Sequence, residues 1–118
     1  MSQPELRNEP RVPVSFRGTL TLGEKSAACH IQNMCSRGFL IRASKELPVG
    51  QLVHLTCELY PDRWIECNVQ VRHVNRDCLG AKVIEISDEA KSICRRYLQE
   101  QIDMSQVALA AVQPGTAP

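Results

Sequence analysis

The chain reads as an all-β domain with one C-terminal helix, a small six-stranded antiparallel barrel. Three observations predict it. Apolar residues recur with period two through the first two thirds of the 118 residues, the signature of half-buried strands. Short turn-forming clusters interrupt that alternation at regular intervals. A single amphipathic stretch follows the last strand. Six short strands joined by tight turns close most simply into a barrel; an OB-fold or an SH3-like barrel fits the same pattern, and periodicity alone does not rank their topologies.

In the first strand the even positions from Val12 to Leu22 are apolar or glycine (Val12, Val14, Phe16, Gly18, Leu20, Leu22), against Pro13, Ser15, Arg17, Thr19 and Thr21. "GEKS" turns the chain into a second strand, with Ala27, Cys29 and Ile31 inward and His30 and Gln32 outward. "NMCSRG" breaks the pattern; there Asn33 suits an Asx-turn and Gly38 a positive φ. A short third strand runs from Phe39 to Arg42. After "PVG", the fourth strand, "QLVHLTCELY", turns Val53, Leu55, Cys57 and Leu59 inward. "PDR" leads to a fifth strand, Trp64 to Val74, with Ile65, Cys67, Val69 and Val71 inward. "NRD" leads to a sixth, Cys78 to Ile86, in which the outer positions change parity after Val83, predicting a bulge near Ile84.

Ser87 suits a helix N-cap, followed by Asp88 and Glu89 in a first turn that favours negative charge. The helix "DEAKSICRRYLQEQI" puts Ala90, Ile93, Cys94, Tyr97, Leu98 and Ile102 along one stripe, suited to capping an open end of the sheet. "MSQVALAAV" extends it weakly, and "QPGTAP" reads as a frayed tail. The expected organisation is therefore an N-terminal arm over 1–11, a barrel with its helix over 12–103, and a weakly ordered tail over 104–118.

Composition narrows the function. Aromatics make up 4% of the chain, so the core is aliphatic. Residues 1–10 contain no apolar run of a secretory signal, and no stretch reaches the roughly 20 apolar residues of a membrane span; a cytoplasmic location is expected. The net charge of +1 is unevenly spread, with seven Lys/Arg against three acids over residues 1–45 and seven against ten thereafter. This disfavours a polynucleotide, which calls for a broad basic face, and suits a small anion held by the N-terminal half. The six cysteines (Cys29, Cys35, Cys57, Cys67, Cys78, Cys94) contain no C-x-x-C pair and give no zinc knuckle. Cys29, Cys57 and Cys67 lie at inward positions and read as small hydrophobes. His30, His54 and His73 fall on separate strands without helper residues and read as solvated or packed. Trp64, at an outer position near a turn, either covers a barrel end or is an exposed contact. Arg95 and Arg96 read as a solvated helix face. Paired loop carboxylates, an activated nucleophile and a phosphate-cradling glycine loop are all missing, so no catalytic residue, metal or cofactor is expected.

Two short patterns remain. Arg7-Asn8-Glu9-Pro10-Arg11 places two guanidiniums four residues apart just before the first strand, and Asn33-Met34-Cys35-Ser36-Arg37-Gly38 follows the second. Together they resemble the PilZ domain, a family of bacterial cyclic di-GMP receptors marked by R-x-x-x-R and then [D/N]-x-S-x-x-G. The resemblance covers roughly residues 6–100, with "LGAKVIEISDEAKSICRRYL" similar to the family's last strand and helix. It implies a non-enzymatic second-messenger receptor that signals by changing shape or by engaging a downstream protein partner. The site it implies comprises Arg7, Arg11, Asn33, Cys35, Ser36, Arg37 and Gly38. Arginine chelates phosphate or the guanine edge with two hydrogen bonds and stacks on base planes; the Asn33 oxygen accepts from a guanine edge; Gly38 lets backbone pass close to a ligand. Two positions depart from the family pattern. Cys35 replaces a serine, and a thiol is the weaker donor. Leu6 replaces an arginine that in the family accompanies a stacked nucleotide pair, implying one nucleotide per chain here. The alternative readings are a PilZ-like adaptor without nucleotide, as in type IV pilus assembly, an OB-like single-strand binder, disfavoured by the want of an aromatic platform, and a cysteine-based redox protein.

Overall fold

The computed structural model describes residues 11–43 and 47–116, the last twelve as backbone only. Six strands form, β1 (Val12–Leu22), β2 (Lys25–Met34), β3 (Gly38–Ala43), β4 (Leu52–Tyr60), β5 (Arg63–Asn75) and β6 (Cys78–Ile86), followed by one helix, α1 (Asp88–Thr116). All pairings are antiparallel, and the strands close in the order β1-β2-β3-β6-β5-β4, with β1 pairing β4 through Gly18–Cys57 and Leu20–Leu55. Closure leaves no strand edge free to template aggregation.

The alternating inward residues meet in one aliphatic interior. Ile31, Ile41, Leu55 and Cys57 are fully buried, and Val69, Val71, Leu79 and Met34 nearly so. Cys29, Cys57 and Cys67 lie in this core as expected. Burial pushes the Cys29 thiol up to about 11 and Cys67 up to about 12, with Cys57 raised further still; such thiols stay protonated and pack as small hydrophobes.

Bulges adjust the barrel at five places. In β6 the pairing steps from Asn68–Glu85 to Val69–Val83, leaving Ile84 unpaired, at the position where the change of parity predicts it. In β5 Arg72 is the extra residue between the Val71–Ala81 and His73–Gly80 pairs. In β1, Val14 and Ser15 together face the single residue Gln32, which leaves Val14 half-buried rather than inward. Leu22, at the other end of β1, is also not buried: it is exposed where the strand runs into its turn. Smaller register steps lie at Gln32 in β2 and Leu59 in β4.

The helix begins as its sequence requires. The Ala90 N–H donates to Ser87 Oγ at 3.1 Å and the Lys91 N–H to the Ser87 carbonyl at 2.9 Å, so Ser87 is the N-cap. Ala90 and Leu98 are buried, and Ile93, Cys94, Tyr97 and Ile102 pack against the core. Tyr97 stands edge-on to both Phe16 and Tyr60, at centroid distances of 5.6 and 5.3 Å, and the Tyr60 hydroxyl donates to Glu100 at 2.7 Å. These contacts fix the helix to β1 and to the end of β4. It continues to Thr116, taking in most of the segment expected to form a tail.

Candidate functional site

The broken segment between β2 and β3 is tighter than an open loop. β2 keeps its pairing through Asn33 and Met34, so Asn33 is a strand residue opposite Pro13 and Leu40, not the start of an Asx-turn. The Cys35 N–H donates to the Gly38 carbonyl at 3.0 Å, and the Val83 N–H donates to the Arg37 carbonyl at 2.8 Å. The first closes the tip of the hairpin on itself, and the second ties it to β6. Gly38 does not have a positive φ. What requires glycine is close approach: a Cβ there would collide with the Ala81 carbonyl oxygen, because Gly38 pairs directly with Lys82 across the β3–β6 ladder.

That hairpin, the start of β1 and the facing parts of β5 and β6 enclose a concavity of about 360 Å³. Of the residues nominated from the sequence, Arg11, Asn33, Cys35, Arg37 and Gly38 line it. Ser36 lies exposed at the hairpin tip and is not part of the lining. Arg7 lies outside the described residues. The Asn33 amide has no hydrogen-bond partner among the described residues, although it is partly covered, and so presents a donor and an acceptor to the concavity.

Among the lining residues that the sequence did not nominate are Arg72, His73, Gly80 and Lys82. They stand some forty residues beyond the hairpin and arrive there through the β3–β6 and β5–β6 ladders. Lys82 is opposite Gly38, and Gly80 is opposite both Leu40 and His73. The imidazole of His73 rests on Gly80 and fills the space any side chain at 80 would occupy. The signal in the sequence was Gly80 itself, a glycine inside a strand with no turn to serve, which marks a close approach.

Among the described residues, the lining therefore holds four basic side chains, Arg11, Arg37, Arg72 and Lys82, and no carboxylate. Among the described residues, Arg72 makes one long contact, to Gln70 Oε1 at 3.5 Å. Two arginines outside the lining pair with acids, Arg17 with Glu58 at 3.5 Å and Arg42 with Asp77 at 3.7 Å. A wall of guanidinium and ammonium groups around polar donors is suited to a phosphate-bearing ligand. Among the described residues, no three His, Cys, Asp or Glu side chains are placed to hold a metal ion, and no helix is long and apolar enough to cross a membrane.

The model of the PilZ domain family matches residues 5–100. The chain belongs to the PilZ domain family. This PilZ domain also superposes on the structure of Bacillus subtilis Inhibitor of motility (MotI/DgrA), with a TM-score of 0.71 and 17% sequence identity, over 82% of this chain and 51% of that one. At that identity the likeness is one of fold, and the chain spans about half the length of that relative. No curated protein sequence matches it. The PilZ family is one of cyclic di-GMP receptors, and both motif segments lie within the matched residues.

Proposed function

We propose that this PilZ domain is a non-enzymatic receptor that binds cyclic di-GMP in the concavity beside the β2–β3 hairpin and passes the signal on by a change of shape or of protein partner. The observation that carries this reading is the meeting of both motif segments on one cation-lined surface: Arg11 from the first, and Asn33, Cys35, Arg37 and Gly38 from the second. The ligand has two phosphates and two guanines. Arg11 and Arg37 suit bidentate contacts to a phosphate or to guanine O6 and N7, and Arg7 joins them from the arm. Lys82 serves as a compact point charge toward a phosphate. The Asn33 oxygen accepts from the guanine Watson–Crick edge while its NH₂ donates to a ring acceptor. Ser36 contributes from the hairpin tip. A concavity of about 360 Å³ falls within the size range of small-molecule sites, roughly 300–1,000 Å³, and its open side leaves part of the nucleotide for a partner to read.

Isothermal titration with cyclic di-GMP, with cyclic di-AMP and GTP as controls, tests the reading. Saturable binding of cyclic di-GMP alone is the expected result. A flat titration with all three would leave the fold as an adaptor and remove the receptor assignment.

A further inference from the structure

Part of the concavity is built by neither motif. The ladders set two neighbouring rows of residues across the sheet. Asn33, Leu40, Gly80 and His73 are successive partners on β2, β3, β6 and β5, and Gly38, Lys82 and Gln70 are successive partners on β3, β6 and β5. Gly80 and Lys82 are two residues apart on β6, so both rows lie on one face of the sheet. β6, which carries Lys82, is two strand spacings from the β2 strand of Asn33, about 10 Å. Arg72 joins Lys82 through the bulge in β5. It is the unpaired residue between the Val71–Ala81 and His73–Gly80 pairs, and such an insertion re-aims a side chain. Its guanidinium donates to Gln70 Oε1 at 3.5 Å, while Gln70 Nε2 donates to the Gly50 carbonyl at 3.2 Å, so the glutamine beside it is itself held. Lys82 makes no hydrogen bond or ion pair among the described residues, and both side chains are exposed.

We propose that Arg72 and Lys82 are ligand-binding residues additional to both motifs, and that they hold a phosphodiester of the nucleotide whose guanine is read at Asn33. This rests on the nucleotide reading above. The division of labour follows from the side chains. An ammonium is a compact point charge suited to phosphate oxygens, and a guanidinium chelates them with two parallel donors. The Asn33 amide is neutral and carries both a donor and an acceptor, which suits a base edge. A strip of backbone at Leu40 and Gly80 separates the two, with the His73 ring laid over Gly80, so a ligand crossing it reaches from base reader to phosphate holder. The pair also makes up for the second motif: Cys35 offers a weak donor where the family has serine, and Arg72 and Lys82 add charged ones.

The test is calorimetric titration with cyclic di-GMP on the full chain at about 0.05 and 0.5 M salt, comparing wild type with Arg72→Gln, Lys82→Gln, Arg72→Lys and Arg95→Gln. The variants Arg72→Gln and Lys82→Gln lose the charge and keep a polar side chain. Each is expected to bind roughly five- to tenfold more weakly than wild type at the lower salt, the scale of one partly screened charge pair, and to approach wild type at the higher. Arg72→Lys should retain most of the affinity, and Arg95→Gln, on the helix, should bind as wild type does. Melting curves show that the variants are folded. Wild-type binding that both glutamine variants share, or a loss in them that salt does not reduce, overturns the phosphodiester contact and leaves the receptor assignment standing. No binding by wild type at either salt overturns both.

Discussion

Arg11 stands at the last residue before β1, exposed and lining the concavity, where its guanidinium has no acid to neutralise it among the described residues. Its removal should cost one charge-assisted contact, about 1.5–3 kcal/mol, or roughly ten- to a hundredfold in cyclic di-GMP affinity. Titration of Arg11→Ala against wild type measures this; Arg95→Ala, on the exposed face of the helix, should bind as wild type does. Cys35 offers the opposite prospect. Its backbone closes the hairpin and its half-buried side chain lines the concavity, so a stronger donor at the same place should help. Cys35→Ser should tighten binding by about 0.5–1.5 kcal/mol, the net worth of a neutral hydrogen bond, with an unchanged melting temperature. A lower melting temperature without tighter binding would mean that the thiol serves packing. Gly38 shows how a correct nomination can rest on the wrong cause: the sequence suggested a turn conformation, whereas the Ala81 carbonyl, from the other end of the chain, forbids a side chain there.

At the scale of elements, the helix and the bulges decide most. The helix holds to the barrel through a small number of contacts centred on Tyr97, which meets Phe16 and Tyr60 edge-on while Tyr60 bonds Glu100. Tyr97→Ala removes both ring pairs and the buried part of the side chain, and should lower unfolding stability by about 2–4 kcal/mol. Urea denaturation followed by circular dichroism gives the value. Because this contact lies apart from the hairpin, cyclic di-GMP affinity measured well below the transition should stay within twofold. The two bulges of the β5–β6 ladder differ in how they can be read. The one at Ile84 shows in the sequence, because apolar parity switches across it. The one at Arg72 is harder to read: Val69 and Val71 are followed by two polar residues, and strict alternation would set His73 on the same face as Val71. Only the pairing with β6, where His73 falls opposite Gly80, shows that the strand has turned.

For the whole molecule, charge and stoichiometry give two further expectations. On β4, β5 and β6, outside the lining of the concavity, His54 directs Nδ1 at Asn68 Oδ1 (3.0 Å) and Nε2 at Glu66 Oε1 (2.9 Å), while the Asn68 amide donates to Glu85 at 2.9 Å. With the Asn68 amide so oriented, both ring nitrogens face acceptors, which suits the imidazolium. The Asn68 hydrogen bond, opposed in part by lost hydration and joined by Glu66, raises the ring's pKa above its ordinary value. A folded-state pKa above the unfolded one adds stability that is fully present below about pH 6.5, the unfolded value, and is lost as pH rises through the folded one. The difference in melting temperature between wild type and His54→Gln should therefore be larger at about pH 5.5 than at about pH 8.5; a constant difference would rule this out. The second expectation follows from Leu6, which supplies no guanidinium to stack on a further guanine: titration should end at one cyclic di-GMP per chain, and an endpoint of two would contradict it.

The order and kind of the elements and the chemistry of the motifs are legible along the chain alone. Period-two alternation, turn residues and the Ser87 cap are local, and each is enforced within a few residues of chain, so six strands and one helix could be read in order and β6 placed at Cys78–Ile86. The motif residues could be read for the same reason, since Arg7, Arg11 and the Asn33–Gly38 run form two short contiguous patterns. Only the tertiary structure decided how those strands close, with β1 against β4 and β3 against β6, because pairing partners are chosen by burial across the whole barrel and leave no mark on either strand alone. It likewise decided that Arg72, His73 and Lys82 complete the concavity. A single bulge and two glycines bring them to it, and whether backbones approach closely enough to need a glycine depends on a neighbour some forty residues away.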